Sequence, residues 1–266
     1  MKQAYLLLLG TALALGGCNF GPGKSVKAHI NLDTLAYTYK TIKERAADCG
    51  NKPDTGCSVA KINYPIFTGQ AVLNDTVSAR LLDLFGGEKR PTNLQQWAKD
   101  FIASYESVKK QDPRTVMFFT LDSHVKIIRQ DSSLTTLEVS GYNFQGGAHG
   151  SSITTFINWN TKTNKDIKLN DVLTQGYGGK LTAIADTIFR KEEKLGPTAT
   201  LANDYFFKDD KFALNENYSI TPIGIKFLYN QYEIKPYAAG QTTLFIPYAK
   251  IKSLLKPNTV ITQYIK

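Results

Sequence analysis

The sequence is poor in the residues that most often carry metal or redox chemistry. It has three histidines and three cysteines in 266 residues. It contains no phosphate-binding glycine loop, no His-Glu-x-x-His motif and no dinucleotide-binding fingerprint. Two neighbouring cysteines without a second pair would leave a zinc ion undercoordinated. We therefore expect no metal and no cofactor, and we expect a protein that is not an enzyme.

Long hydrophobic runs are also scarce, and the clearest one lies at the N-terminus. The run from Tyr5 to Leu15 is too short to cross a bilayer as a helix and is typical of a signal peptide. It ends in Leu15-Gly16-Gly17-Cys18, which resembles the lipobox of bacterial lipoproteins. We therefore expect residues 1–17 to be a cleaved signal peptide, Cys18 to carry a lipid, and residues 18–27 to tether the protein to a membrane.

The residue after the predicted lipid site bears on location. Asn19 follows Cys18, and it is not the Asp that retains lipoproteins at the inner membrane in some Gram-negative bacteria. We therefore expect a protein of the cell envelope, anchored at the outer membrane and facing the periplasm or the cell surface. In such an oxidising compartment, the two remaining cysteines, Cys49 and Cys57, are expected to form a disulfide. Closing so short a loop should add only about 2–3 kcal/mol of stability.

The charge balance is strongly basic. The formal net charge is +9 and the isoelectric point is near 9.3. Such a surface attracts anionic partners. Nucleic acid is not expected outside the cytoplasm, and the basic residues are spread along the chain. We expect peptidoglycan or another anionic envelope polymer as the partner, besides the membrane that holds the lipid.

Hydrophobic spacing predicts alternating strands and helices in the first part of the chain. Period-two patterns predict strands at Leu35–Tyr39 and at Ser58–Pro65, the second ending at the proline. Helical spacing predicts helices over Ala71–Leu84 and Asn93–Lys110. From Val116 to Trp159 the period of two returns and predicts about four antiparallel strands.

The last third of the sequence predicts one more helix and a tail rich in strands. Lys180–Lys194 is amphipathic, and Ile223–Tyr229 and Thr243–Pro247 read as strands. The order of strands and helices lacks a repeating βαβ rhythm, which favours an α+β fold with a mainly antiparallel sheet and packed helices. We expect two tightly joined subdomains, at residues 28–164 and 165–266.

The sharpest local motif is Gly146-Gly147-Ala148-His149-Gly150. Glycines permit positive φ and close backbone approach, and an imidazole could act as an acid or a base. A general base normally needs an orienting partner and a nucleophile or metal, and no Gly-x-Ser-x-Gly motif accompanies this histidine. We predict a turn between strands, with His149 hydrogen-bonded to backbone, and keep Gly146, Gly147 and His149 as possible binding residues.

Four tyrosines near the C-terminus form a second group of interest: Tyr229, Tyr232, Tyr237 and Tyr248. Aromatic rings on strands can stack on sugar rings, although they more often pack in the core or against a neighbouring strand. Of these four, Tyr232 and Tyr237 are kept as possible binding residues.

Several segments, in the same order along the chain, resemble one known family: Ile62–Pro65, Tyr142–Gly150, Leu169–Leu173 and Tyr232–Gly240. This is the RsiV-like extracellular domain family, a pair of adjoining domains found in a lysozyme-sensing anti-sigma factor and fused to some peptidoglycan deacetylases. The resemblance covers roughly Ala60 to Leu255. It implies an α+β fold in two tightly joined parts, with no catalytic activity established for the pair itself.

These observations favour a non-enzymatic envelope lipoprotein that binds a glycan or another envelope macromolecule. One alternative, implied by the resemblance, is a protein that binds or inhibits lysozyme. Another is a cell-wall glycan hydrolase or deacetylase that uses His149 with a nearby carboxylate. An anti-sigma role is not expected, because the sequence shows neither an anti-sigma segment nor a spanning segment. A cleft that places His149 beside Asp or Glu would favour the enzyme.

Overall fold

A computed structural model describes residues 35–86, 90–131 and 133–265. The predicted signal peptide, Cys18 and the tether lie outside the described residues. Within the described part of the chain, no helix has both the length and the apolar character that crossing a membrane requires. The described residues form two adjoining hydrophobic cores, each built around its own sheet.

The first sheet has six strands, arranged in the order in which they occur along the chain. They are β1 (Tyr37–Arg45), β2 (Val59–Phe67), β3 (Thr120–Asp131), β4 (Leu134–Phe144), β5 (Ser151–Asn160) and β6 (Lys165–Asp166). All neighbours are antiparallel except β2 and β3, which run parallel. Two helices, α1 (Ala71–Leu82) and α2 (Leu94–Gln111), fill the long crossover that a parallel pair requires.

Both helices pack on one face of this sheet. Helix α2 begins after Asn93, whose side-chain oxygen accepts a hydrogen bond from the Gln96 backbone N–H at 2.8 Å, the usual way to satisfy a free helix N–H. The buried side chains of α2 recur at helical spacing: Leu94, Ala98, Phe101, Ile102 and Tyr105. They pack in the core formed with the inward side chains of the sheet.

The opposite face of the first sheet is polar. Successive side chains of a strand point to opposite faces. On β3, Leu121 and Val125 are buried in the first core, whereas Asp122 is exposed and His124 is half-buried. The helices therefore leave Asp122 and His124 on the open face, and this face carries the candidate site.

The second core is formed by two helices and three strands: α3 (Leu169–Val172), α4 (Tyr177–Glu192), β7 (Tyr218–Ile220), β8 (Gly224–Tyr229) and β9 (Thr242–Pro247). The three strands are antiparallel, in the order β7-β8-β9. Leu181, Ala185 and Phe189 on one side of α4 are buried in this core together with Phe227 and Leu244. The prediction of an α+β fold with a mainly antiparallel sheet and packed helices is confirmed.

Asparagine side chains join the two parts along β5. This strand pairs with β6 only at its C-terminal end, so the rest of that edge has no strand neighbour in the described sheet. The Thr154 N–H donates to Asn230 Oδ1 at 2.8 Å, and Asn217 Nδ2 donates to the Thr154 carbonyl at 2.8 Å. Asn158 bonds to the backbone of β7 through both ends of its amide. Buried and half-buried hydrogen bonds therefore join the two parts. The predicted subdomain boundary between residues 164 and 165 stays a prediction. The first sheet itself continues to Asp166.

The disulfide prediction is confirmed. Cys49 and Cys57 are bonded, with their Cα atoms 5.3 Å apart, and they close the loop between β1 and β2. Both cysteines are buried. The bridge therefore fixes the end of the β1–β2 pair, as the turn-rich sequence between the two cysteines suggests.

Two details of the strand prediction are wrong. Strand β2 does not end at Pro65, which pairs with Tyr39, but continues to Phe67. Since β3 pairs with β2 only over Val59–Asn63, Pro65 lies where β2 has one neighbour and its missing N–H is tolerated. Three long strands, rather than about four, lie between residues 116 and 159, because β4 runs without a break through Gly141.

Candidate functional site

Three aromatic rings from both parts of the chain form a stack at the surface. His149, in the loop between β4 and β5, lies 4.6 Å from Tyr237 between ring centroids, with the planes 24° apart. Tyr237 in turn lies 5.4 Å from Tyr232. His149 is exposed, and Tyr232 is 61% exposed. We call these three residues the aromatic stack. They are the aromatic residues that were kept as possible binding residues from the sequence.

His149 lies in the connection between two strands, as the sequence predicts. The predicted hydrogen bond from its ring to backbone is not found among the described residues; the ring is exposed and stacks on Tyr237. Among the described residues, no Asp or Glu side chain forms a hydrogen bond or an ion pair with the His149 ring. The arrangement that would have favoured a catalytic histidine, with an adjacent Asp or Glu, is therefore not found among the described residues.

The glycines of the loop explain how His149 reaches this position. Gly146 and Gly147 have φ angles of 98° and 88°, a region that side chains with a Cβ rarely adopt. A Cβ on Gly146 would also come within 2.6 Å of Met117 Sδ, and one on Gly150 would meet the ring of Tyr142. Gly146 and Gly147, which were kept as possible binding residues, therefore determine the conformation of the loop that carries His149.

Tyr232 is held in an unusual backbone conformation. Its φ is 64°, a conformation that costs a non-glycine residue energy and that persists only where the surrounding structure imposes it. The turn is closed by Glu233, whose carboxylate accepts from the Asn230 N–H at 2.7 Å and whose N–H donates to the Asn230 carbonyl at 3.1 Å. Strained residues of this kind cluster at functional sites. The turn fixes an exposed ring next to Tyr237.

A groove of about 580 Å³ lies beside the aromatic stack, on the open face of the first sheet. Its sides come from three strands and from the second part of the chain. The lining residues are Thr120, Asp122, His124, Ser140, Gly141, Tyr142, Ser152, Thr154, Gln231 and Gln241.

The stack and the groove are continuous through the chain. Gln231 precedes Tyr232, Ser152 follows His149 by three residues, and the ring of Tyr142 lies against Gly150. The groove and the stack therefore adjoin each other, and both parts of the chain contribute residues to them.

Strand register explains the polar floor of the groove. Asp122, Tyr142 and Ser152 lie opposite one another on β3, β4 and β5. His124, Ser140 and Thr154 form the next row, two residues further along each strand. Residues two apart on a strand share a face, so both rows point into the groove. These residues were not predicted as a site from the sequence, although the polar positions at 120, 122 and 124 alternate with buried ones.

The floor of the groove is already held in place by hydrogen bonds. Gln241 Nε2 donates to Thr154 Oγ1 at 3.2 Å and to Asn230 Oδ1 at 3.0 Å. The hydroxyls of Ser140 and Thr154 are 3.3 Å apart. These contacts fix the groups before any ligand arrives, which lowers the entropy cost of binding.

The groove carries one carboxylate, that of Asp122, and neither lysine nor arginine among its lining residues. Neutral hydroxyl and amide groups form most of the remaining lining. Such groups give hydrogen bonds in both directions, which suits a ligand rich in hydroxyls. The net charge of +9 therefore resides outside the groove lining.

The four C-terminal tyrosines divide into two pairs. Tyr229 and Tyr248 are buried in the second core and donate to the carbonyls of Ala213 and Thr221. Burial raises the pKa of both phenols above the ordinary range. Tyr232 and Tyr237 instead belong to the aromatic stack. No three His, Cys, Asp or Glu side chains of the described residues are grouped as metal ligands.

Two family models match adjoining parts of the chain. Residues 51–152 match the model described as "Deacetylase PdaC", and residues 170–249 match the model described as "Protein of unknown function (DUF3298)". The two matches follow one another along the chain without overlapping. His149 and most of the groove floor lie in the first match, and Tyr232 and Tyr237 lie in the second. The candidate site is therefore shared between the two matched segments.

One curated protein and two solved structures extend this comparison. The chain is 21% identical over 204 residues to peptidoglycan-N-acetylmuramic acid deacetylase PdaC of Bacillus subtilis, in an alignment that covers 75% of this chain and 39% of that protein. The chain thus spans well under half of that relative. A DUF3298 family structure from Bacteroides fragilis has a TM-score of 0.66 at 22% identity, covering 88% of this chain and 99% of the other. One from Pseudomonas aeruginosa has a TM-score of 0.65 at 23% identity, covering 85% and 97%. These two structures share the fold.

Proposed function

We propose that this protein binds glycan strands of the cell envelope, with peptidoglycan as the target, and that it does so without catalysis. The aromatic stack at the side of a polar, preformed groove carries the proposal. Sugar rings present apolar C–H faces that pack on aromatic rings, and hydroxyls around the ring edge that need hydrogen-bond partners. The stack offers the first kind of contact and the groove the second.

The choice of peptidoglycan rests on the relatives. The curated relative is named for peptidoglycan N-acetylmuramic acid, and the segment of this chain that matches the PdaC model contains His149 and Asp122. Peptidoglycan also agrees with the partner expected from the sequence. The groove, however, lacks lysine and arginine among its lining residues. We therefore assign the groove to the sugar rings rather than to the acidic groups of the polymer.

Binding is favoured over catalysis by the position of His149. The ring stacks on Tyr237, and no carboxylate of the described residues orients it. A general base in a hydrolase or deacetylase needs such a partner, together with a nucleophile, an activated water or a metal. Incubation with peptidoglycan should release neither acetate nor reducing ends. A measured turnover that His149→Ala abolishes would reverse this assignment.

The location is part of the same proposal. The lipobox-like Leu15–Cys18 supports a lipid anchor on Cys18, and Asn19 supports the outer membrane. An anchored protein would hold the groove close to the wall polymer. Metabolic labelling with a palmitate analogue should mark the wild type and not Cys18→Ala, and labelling of both would remove the anchor from the proposal.

Cosedimentation with purified peptidoglycan tests the binding function. Tyr232→Ala removes an exposed ring of the stack and should weaken binding by about 1–2 kcal/mol. Tyr39→Ala is the matched control, because Tyr39 is 47% exposed on β1, three strands away from β4. Equal binding by both variants, or no binding by the wild type, would contradict the proposal.

A lysozyme arm of the same experiment tests the alternative that the RsiV-like resemblance implies. Common animal lysozymes are basic, and this chain carries +9, so long-range repulsion should slow their encounter. We expect weak binding at physiological salt. Sub-micromolar affinity that does not change with salt would show that shape complementarity outweighs the charge argument.

A further inference from the structure

The carboxylate of Asp122 stands out in the groove. It is the one carboxylate among the lining residues, and it lies on β3 at one end of the row that continues through Tyr142 to Ser152. The side chain is exposed. Among the described residues, neither a hydrogen bond nor a salt bridge occupies its oxygens. The groove therefore contains a negative charge that the protein itself leaves available.

The neighbouring basic residues do not neutralise this charge by direct contact. Lys61 on β2 is the register partner of Asp122. No ion pair joins the two within the described ranges. On the next strand, Lys43 is paired with Asp54 at 2.6 Å. The other side chains that line the groove are hydroxyls, amides, the ring of Tyr142 and the imidazole of His124.

The aromatic stack, like the carboxylate, attracts positively charged groups. The face of a tyrosine ring is electron-rich and attracts cations. A ligand that places an ammonium group in this groove can reach the Asp122 carboxylate, while the sugar unit that carries it extends towards the aromatic stack. A neutral N-acetyl group at the same position would gain neither attraction and would need more room.

We propose that the groove prefers an amino sugar with a free ammonium group to the corresponding N-acetylated sugar, with Asp122 as the residue that determines the preference. This rests on the proposed glycan-binding function and adds the chemical class of the sugar. The ammonium donates hydrogen bonds to the Asp122 carboxylate, and the sugar ring packs against the aromatic stack. No bond is made or broken.

The test compares three oligosaccharides of equal length and linkage: oligoglucosamine, oligo-N-acetylglucosamine and oligoglucose. Binding is measured by calorimetry with the full-length chain, at a pH below the pKa of the sugar amine. Physiological salt is used, because it screens the distant positive charges of the chain beyond about 8 Å. We expect oligoglucosamine to bind about three- to tenfold more tightly than the other two.

Two variants test whether the Asp122 carboxylate, rather than net charge, causes the preference for the ammonium sugar. Asp122→Asn keeps the size of the side chain and should remove the preference, so that oligoglucosamine and oligo-N-acetylglucosamine bind this variant with affinities within about twofold of each other. Asp75→Asn makes the same change of net charge at an exposed position of α1, which packs on the other face of the sheet, and should keep the preference. Thermal unfolding of both variants checks that the fold is intact.

The possible failures are distinct. Equal binding of all three oligosaccharides by the wild type, or a preference that survives in Asp122→Asn, overturns this inference and leaves the glycan-binding function in place. A preference lost equally in Asp75→Asn also overturns it, because net charge would then be the cause. If the wild type binds none of the oligosaccharides and no peptidoglycan, the proposed function itself is wrong.

Discussion

At the scale of single residues, the same residue type plays different parts within a short stretch of chain. Tyr229 is buried and Tyr232 is exposed, although only two residues lie between them. Tyr229 belongs to β8 and alternates into the core, whereas Tyr232 follows the strand in a turn with positive φ. The sequence identifies both as aromatic candidates, but only the end of the strand decides which one becomes available for a ligand.

Gly141 offers a test of how tightly the groove floor is packed on the first core. A Cβ at this position would lie 2.8 Å from Ser123 Oγ and 2.9 Å from the ring of Phe85. Gly141→Ala should therefore lower the free energy of unfolding by about 1–3 kcal/mol through overpacking. Gly178→Ala, in the first turn of α4 where an added Cβ meets open space, should instead be neutral or stabilising by up to about 1 kcal/mol. Equal denaturant midpoints for the two variants would contradict this account.

At the scale of elements, the covered edge of β5 holds the two parts together. Asn230→Ala would leave the Thr154 N–H without its acceptor and would free Gln241 from one of its two bonds. We expect a loss of about 1–3 kcal/mol of stability and weaker glycan binding, because the groove floor loses its support. Asn63→Ala removes an exposed side-chain bond to Thr41 and should cost less than about 1 kcal/mol. Denaturant unfolding measures both, and a larger effect for Asn63→Ala would argue against the interface role.

Elements that are determined by residues within the same segment could be predicted from the sequence. Elements that depend on pairing with a distant segment could not. Helix α2 follows from its cap at Asn93 and its apolar spacing, both present within the segment. The continuation of β2 past Pro65 depends on where β3 stops pairing, and β3 begins more than 50 residues later. The groove was missed for the same reason, because Asp122 and Gln231 are brought together only when both parts have folded. The aromatic members of the site were found because aromatic residues in turns are noticeable in sequence alone.

At the scale of the whole molecule, buried tyrosines predict sensitivity to alkali. Burial is the largest cause that raises the pKa of Tyr218, Tyr248 and Tyr264, and burial together with the neighbouring Glu193 carboxylate raises the pKa of Tyr205 to about 12. A phenol whose pKa is raised in the folded state contributes its full stability below the ordinary tyrosine pKa, near about 10, and loses it as pH rises further. The free energy of unfolding should therefore fall above about pH 10. Tyr248→Phe should make this decline shallower, and an identical decline in that variant would assign it to other groups.

The division of the site between two parts of the chain has a consequence for how a ligand acts on the protein. A glycan in the groove would touch β3 and β4 on one side and Gln231 and Tyr232 on the other, so it would serve as an additional cross-link between them. By linkage, every tenfold excess of ligand over its dissociation constant then adds about 1.4 kcal/mol against separation of the two parts. Amide hydrogen exchange at Thr154, whose N–H donates to Asn230 across the junction, would slow in the same proportion wherever exchange requires that separation. A bound wall polymer would thus stabilise the junction between the two parts of the protein that binds it.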